Sequence, residues 1–347
     1  MKSLTLGTIA SLTLATMLVA DDAAPQRGAR NFAGGLDNPS GIVIHPETGH
    51  VFVAEHRGVV RFYDKGDDAP QGQRRGRAME VGHFPSDIYG KGPMYDIGPL
   101  GLAWLDGEHL IVGDGSRPDA EELVRVYKVA GTPAEEPAKE DSAAFTLGPI
   151  GPGDKSVKGE GNFYGVAVTA DAIFVTCNGD DTKGWISRAP IVDGKPGKLE
   201  PFIATKEAVN VDAPVAITVN SAGDLVVGQM GEMNVPGDSL LTIYDAKTGE
   251  LKAKYETGLS DIAGLAYSPE GRLFAVDFAW ADTKMGGLFE LTIDGDKCKV
   301  RKVRELDKPT AITFDAEGHA YITAFGTAEE GSKGKPGHVV RVRKNQL

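Results

Sequence analysis

The feature that most constrains this chain is a unit that recurs six times along its 347 residues. The clearest copy is 38–63, NPSGIVIHPETGHVFVAEHRGVVRFY. The turn dipeptide Asn38-Pro39 precedes a small residue, Gly41, and the apolar run 42–44. The polar turn 46–49 leads to a second apolar run, 51–54, which ends on Glu55, and a third run, 59–63, follows Gly58. Short runs of β-branched and aromatic residues, bounded by Gly, Pro and Asn, read as strands joined by tight turns.

Gly41 is matched by Gly101, Gly165, Ala216, Gly264 and Ala311, at spacings of 60, 64, 51, 48 and 47 residues. In each copy the first two runs are almost wholly apolar, as strands buried on both faces should be. The third run alternates, as in Val60-Arg61-Phe62, Val124-Arg125-Val126 and Val340-Arg341-Val342. That period of two marks a half-exposed strand and places Arg61 in solvent. Weaker fourth strands fit at 78–81, 143–147, 199–204, 251–255 and 300–306. The sixth copy has none, but 29–33 stands where a fourth strand could pair with it and close a ring. Four-stranded antiparallel units at this period predict an all-β, six-bladed β-propeller. Its blades start near 38, 98, 162, 213, 261 and 308, within one domain over 21–347.

The N-terminus carries Lys2, an apolar stretch over 4–20 and a Leu18-Val19-Ala20 end before Asp21-Asp22. This reads as a signal peptide cleaved near Ala20, so a secreted or periplasmic protein is expected. The stretch is diluted by Thr and Ser and falls short of the ~20 apolar residues of a spanning helix. The net charge of -12 argues against a nucleic-acid partner and is compatible with cations. The cluster Arg74-Arg75-Gly76-Arg77 reads as a solvated loop. Cys177 and Cys298 fall two blades apart, beyond disulfide reach, and two free thiols are expected. The expected partner is a small molecule or a protein on one face of the propeller. No nucleic acid and no integral membrane association are expected, and the chain reads as a monomer.

Residues 38–62, with Pro39-Ser40-Gly41-Ile42 at their opening and Val53-Ala54-Glu55 at their close, resemble the NHL repeat. The chain is more loosely similar to six-bladed propellers of the gluconolactonase/senescence-marker type. That resemblance implies a calcium-dependent lactone hydrolase. Its metal ligands would include an acidic residue opening the first blade, and Asn and Asp directly before inner-strand glycines. Here Ser40, Leu100, Tyr164, Val215, Ala263 and Thr310 hold the positions before the anchors, so the chain departs from the pattern.

Within a blade the inner strand starts, and the second strand ends, on one face. Asn38, Asn162 and Asp261 stand three residues before an anchor, and Glu55, Asp114, Asn178, Gln229 and Asp277 end second strands. Together they form a ring of carboxylate and amide oxygens, which suits Ca²⁺ with its six to eight oxygen ligands. The same residue types also form Asx turns that bond their own backbone. Two functional readings are open. In the first, a ligand or partner binds this face through Glu55, His56, Asn178, Gln229, Tyr164 and Trp280. In the second, Asn38, Asn162 and Asp261 hold Ca²⁺, and Asp277 or Asp114 acts as general base on a metal-polarised lactone or ester. Loops leaving the second strands, such as 115–122, would form acidic rims around aromatic walls that include Tyr95, Phe278 and Phe325. There is no H-E-x-x-H and no G-x-S-x-G nucleophile elbow. A quinone-dependent sugar dehydrogenase would also use six blades, usually with a histidine base and a longer chain.

Overall fold

Six sheets succeed one another around a central channel in a computed structural model of the chain, which describes residues 30–66, 74–90, 93–179 and 183–347. The expected signal peptide lies outside the described residues. The inner strands are Gly41–Ile44, Pro99–Trp104, Val166–Val168, Pro214–Val219, Ile262–Tyr267 and Pro309–Phe314. Each pairs antiparallel with a second strand: Val51–Glu55, His109–Asp114, Ala172–Cys177, Leu225–Gln229, Leu273–Asp277 and Ala320–Ala324. Third and outer strands complete each sheet, so the propeller read from the repeat spacing is the observed architecture.

The ring closes as its odd sixth unit requires. Arg30–Leu36 pairs antiparallel with the third strand of blade six, Gly337–Val342, from Arg30 opposite Arg341 to Leu36 opposite Gly337. This strand runs beyond the expected 29–33, and its last residue, Leu36, is fully buried. The two chain-distant strands thus share one sheet, and the N-terminal segment holds the ring shut.

Distance explains why the anchors are small. A Cβ on Gly41 would lie 2.2 Å from the Leu100 carbonyl oxygen, one on Gly101 2.1 Å from that of Tyr164, and one on Gly165 2.4 Å from that of Val215. Each anchor therefore packs directly on the inner strand of the next blade, where only a missing or minimal side chain fits. Between the sheets lie six apolar clusters, one at each blade interface. Phe52, Val59, Leu110 and Tyr127 fill the gap between blades one and two, for example. Leu36, Val53, Tyr321 and Val339 fill the gap between blades six and one. Burial of this kind is worth about 25 cal/mol per Å² of apolar surface, so stability is spread around the ring rather than held in one centre.

Two expectations are corrected. Arg61 is not solvated; it is fully buried. The segment after the third strand of blade two folds over blade one, where Ala138–Lys139 adds a parallel strand beyond Arg75–Gly82. Carbonyls of Ala130 and Thr132 accept from the guanidinium at 2.8 Å each, and His50 Nδ1 accepts from its Nε at 3.0 Å. A neighbouring repeat covers a strand that alternation alone assigned to solvent. The arginine cluster is likewise no loose loop. Arg75 and Arg77 lie in the outer strand Arg75–Gly82, Arg75 over the Phe32 ring at 3.8 Å. Both cysteines are free, as expected. No helix among the described residues is long and apolar enough to cross a membrane.

Candidate ligand site at the channel mouth

The five residues that end second strands do share one end of the ring, and four of them are committed to backbone and side chains of the protein. Glu55 is buried and accepts from Asp37 N at 3.1 Å and Arg77 Nη2 at 3.0 Å. Asp114, fully buried, takes Arg117 at 2.6 Å, Arg125 at 3.1 Å and Ser116 N at 2.9 Å. Gln229 donates to the Val211 carbonyl at 2.6 Å and accepts from Thr242 Oγ1 at 3.0 Å. Asp277 accepts from three backbone N–H groups, those of Ser260, Asp261 and Ala279, at 3.0, 2.6 and 3.3 Å. In three of these blades the side chain ties down the crossing segment that enters its own blade, which is how one residue class serves a repeated turn. Asn178 alone lines the pocket at the mouth.

The position three before the anchor has a shared backbone cause in four of the six blades. Asn38, Asn162, Ala213 and Lys308 have φ of 46°, 48°, 54° and 56°, the left-handed region. Asn is the non-glycine residue that tolerates this best, because its short amide bonds locally. The Asn38 amide donates to the Asp96 carbonyl at 2.9 Å, and the Asn162 amide to Asp119 Oδ1 at 3.3 Å. Asp261 is buried; its Oδ2 accepts from Trp280 N at 2.6 Å, while Oδ1 meets no partner among the described residues. Burial, with the Asp277 and Asp238 charges nearby, pushes its carboxyl up to about 7.

The mouth itself is aromatic. A two-stranded hairpin, Asp87–Tyr89 with Tyr95–Ile97, pairs with no blade and lies across this end of the channel. Tyr95 meets Phe325, Trp280 and Phe278 edge-on, with ring centroids at 4.9, 5.5 and 6.2 Å. Phe278 and Trp280 stack on each other at 4.5 Å. With Tyr89, Tyr164, Met230, Asn162 and Asn178 they enclose a cavity of about 40 Å³. Below it the channel proper has a volume of about 380 Å³ and is lined by inner strands of all six blades. Tyr164 lines both cavities, and burial raises its phenol well above the ordinary value.

Of the residues expected here from sequence, Asn162, Asn178, Tyr164 and Trp280 come together in the mouth pocket. Glu55, Gln229, Asp114 and Asp277 sit behind it as buried ties, and His56 lies to one side, against Ser86 and Asp37. Tyr95, Phe278 and Phe325, expected as aromatic walls, line the same pocket, and Tyr89 of the hairpin joins them. Glu122 was missed: read as part of an acidic rim, it is fully buried. There it accepts from Asn162 N, leaves Oε1 without a partner among the described residues, and has its carboxyl pushed up to about 9 by burial. Nothing in the string DAEELV marks one glutamate as the buried one.

Neither Ca²⁺ nor a pyrroloquinoline quinone is matched by the residues of this pocket. Asn162 lines it, whereas Asn38 and Asp261 do not, so it does not gather an oxygen cage for Ca²⁺. A pyrroloquinoline quinone carries carboxylates, and the pocket lining includes no Arg, Lys or His to meet them. No chemical step is assigned to either group.

Comparison with known proteins places the fold. No family model matches the sequence, and no curated relative does. Among solved structures, the PQQ-bound aldose sugar dehydrogenase of Streptomyces coelicolor is similar with a TM-score of 0.59 and 14% identity, over 92% of this chain and 99% of that one. A Thermus glucose dehydrogenase-type oxidoreductase gives 0.57 and 16%, over 90% and 99%. A gluconolactonase-type structure gives 0.55 and 16%, over 91% and 93%. The chain is thus a six-bladed propeller whose structural neighbours are gluconolactonase-like and soluble sugar-dehydrogenase propellers.

Proposed function

We propose that this chain binds a small ring-shaped sugar derivative, an aldose or its lactone, in the mouth pocket beneath the Tyr95 hairpin. The observation that carries this reading is the aromatic enclosure of Tyr89, Tyr95, Tyr164, Phe278, Trp280 and Phe325 at the channel entrance. The C–H face of a sugar ring packs on aromatic faces, and a few convergent polar groups fix its orientation. Asn162 and Asn178 supply those groups here. The pocket of about 40 Å³ has room for little more than water, so entry requires the hairpin to lift. Its own pairing would survive that movement, because its two strands form a sheet of their own, and lifting breaks the Asn38 amide bond to the Asp96 carbonyl. The structural neighbours that bear sugar-dehydrogenase and gluconolactonase names support the ligand class. The N-terminal pattern supports export to the periplasm or beyond, and the acidic surface supports a monomer.

Tryptophan emission measured during titration with glucono-δ-lactone, and separately with D-glucose, tests the reading. We expect saturable quenching by at least one of them, lost in Trp280→Ala. Flat emission with both ligands to tens of millimolar would refute it.

A further inference from the structure

We propose that Ser86, His56 and Asp37 form a serine-nucleophile relay that hydrolyses carboxylic esters at the foot of the hairpin. The geometry is direct. Ser86 Oγ lies 2.6 Å from His56 Nε2, and His56 Nδ1 lies 3.2 Å from Asp37 Oδ2. A carboxylate can only accept, so Nδ1 carries the ring proton and Nε2 is left to accept from the Ser86 hydroxyl. That is the order of roles by which a Ser-His-Asp arrangement is recognised, whatever the fold or the order of residues in the chain. The sequence offers no nucleophile elbow because the three residues come from three separate loops.

Burial is graded as such a relay needs. His56 is buried, Asp37 half-buried and Ser86 exposed, so the nucleophile faces incoming substrate while its base is shielded. The frame is stiff. His56 stands directly after the last residue of its strand and donates its backbone N–H to the Asp37 carbonyl at 2.9 Å. Glu55, held by Arg77, takes the Asp37 N–H. On the far side Gly98 packs on His56 so closely that a Cβ there would lie 1.9 Å from the His56 carbonyl oxygen. The hairpin that carries Ser86 is therefore clamped against the histidine at its return end. Lys335, from the long loop of blade six, places its ammonium 2.9 Å from Asp37 Oδ2. Asp37 is a positioning residue here; Ser86 and His56 touch the reacting atoms.

In the acylation step Ser86 Oγ attacks the ester carbonyl carbon and its proton moves to His56 Nε2. The carbon–alkoxy bond then breaks, and the alkoxide leaves as an alcohol with that proton. Water attacks the acyl-serine in turn and gives a proton to Nε2. The acid departs as the C–Oγ bond breaks, and the proton returns to Ser86. The sum is ester plus water to acid plus alcohol, with no change of oxidation state.

Ester hydrolysis at Ser86 is independent of ligand binding in the mouth pocket, since it is read by labelling of Ser86 and not by sugar titration. The test is to treat the purified full chain with a fluorophosphonate probe and locate the adduct by tandem mass spectrometry, while monitoring hydrolysis of p-nitrophenyl acetate. We expect covalent labelling at Ser86, none in Ser86→Ala, and a rate about 100-fold lower in His56→Ala, the usual size of a lost general base. Added imidazole should restore part of the His56→Ala rate, which a structural role for the histidine does not predict. Asp37→Asn should lower kcat with little change in KM. No adduct on the parent chain overturns the proposal, as does labelling of Ser86 at an equal rate with and without His56. Ser86 is exposed, so Ser86→Ala tests the chemistry without emptying the core.

Discussion

Glu122→Gln should stabilise this protein, and by more as pH rises. Burial holds the Glu122 carboxyl protonated in the folded chain up to about 9. In the unfolded chain it ionises near 4.5, its ordinary value. Between those limits the folded state binds one more proton than the unfolded state, so each pH unit removes about 1.4 kcal/mol of stability. A raised folded value gives stability that is whole below the unfolded value and lost as pH climbs toward the folded one. From about pH 5 to about pH 8 the group withdraws about 4 kcal/mol, as an order of magnitude. Glutamine keeps an oxygen to accept from Asn162 N and does not titrate. At roughly 2 °C per kcal/mol for a domain of this size, the gap between variant and parent should widen by roughly 8 °C over that range. Thermal melts recorded by circular dichroism at the two pH values measure it. If parent and variant lose the same stability between them, Glu122 is not held protonated and the burial argument is wrong.

Other outcomes rest on the same geometry. Gly41→Ala drives a methyl to 2.2 Å from the Leu100 carbonyl and must push blades one and two apart, so a loss of about 1–3 kcal/mol is expected in denaturant unfolding; an unchanged midpoint would contradict the packing account. Leu36→Ala opens a void beside the closing strand and should cost about 2–5 kcal/mol. Native-state hydrogen exchange should then show the strand Gly337–Val342 losing protection first. Asp261 titrates at about 7 while holding the Trp280 N–H, so part of the tryptophan emission should change with a midpoint there. Asp261→Asn should remove that component, and an identical titration in the variant would assign it to another group.

Most of the candidate site was legible only as a zone. Asn162, expected as a metal ligand, and Asn178, Tyr164 and Trp280, expected as ligand contacts, line one pocket because strand ends of a propeller and the loops leaving them share a face. The role of Asn38 and Asn162 was less legible, because a left-handed turn and a metal ligand favour the same residue type, and only backbone angles separate them. The partnership of His56 was invisible, since Ser86 and Asp37 lie 30 and 19 residues from it in the chain.

The repeat alone determined the number of blades, the buried inner strands and the need for an N-terminal strand to close the ring. Those come from local periodicity, which each copy carries within itself. Contacts between copies decided the rest: that Arg61 is covered by a segment from the next blade, that Glu122 is buried, and that a hairpin roofs the channel with tyrosines. They also set Ser86 against His56. Such facts depend on how one blade's loops fall across another, and the partners come from separate stretches of sequence, 30 residues apart for Ser86 and His56 and 69 for Arg61 and Ala130.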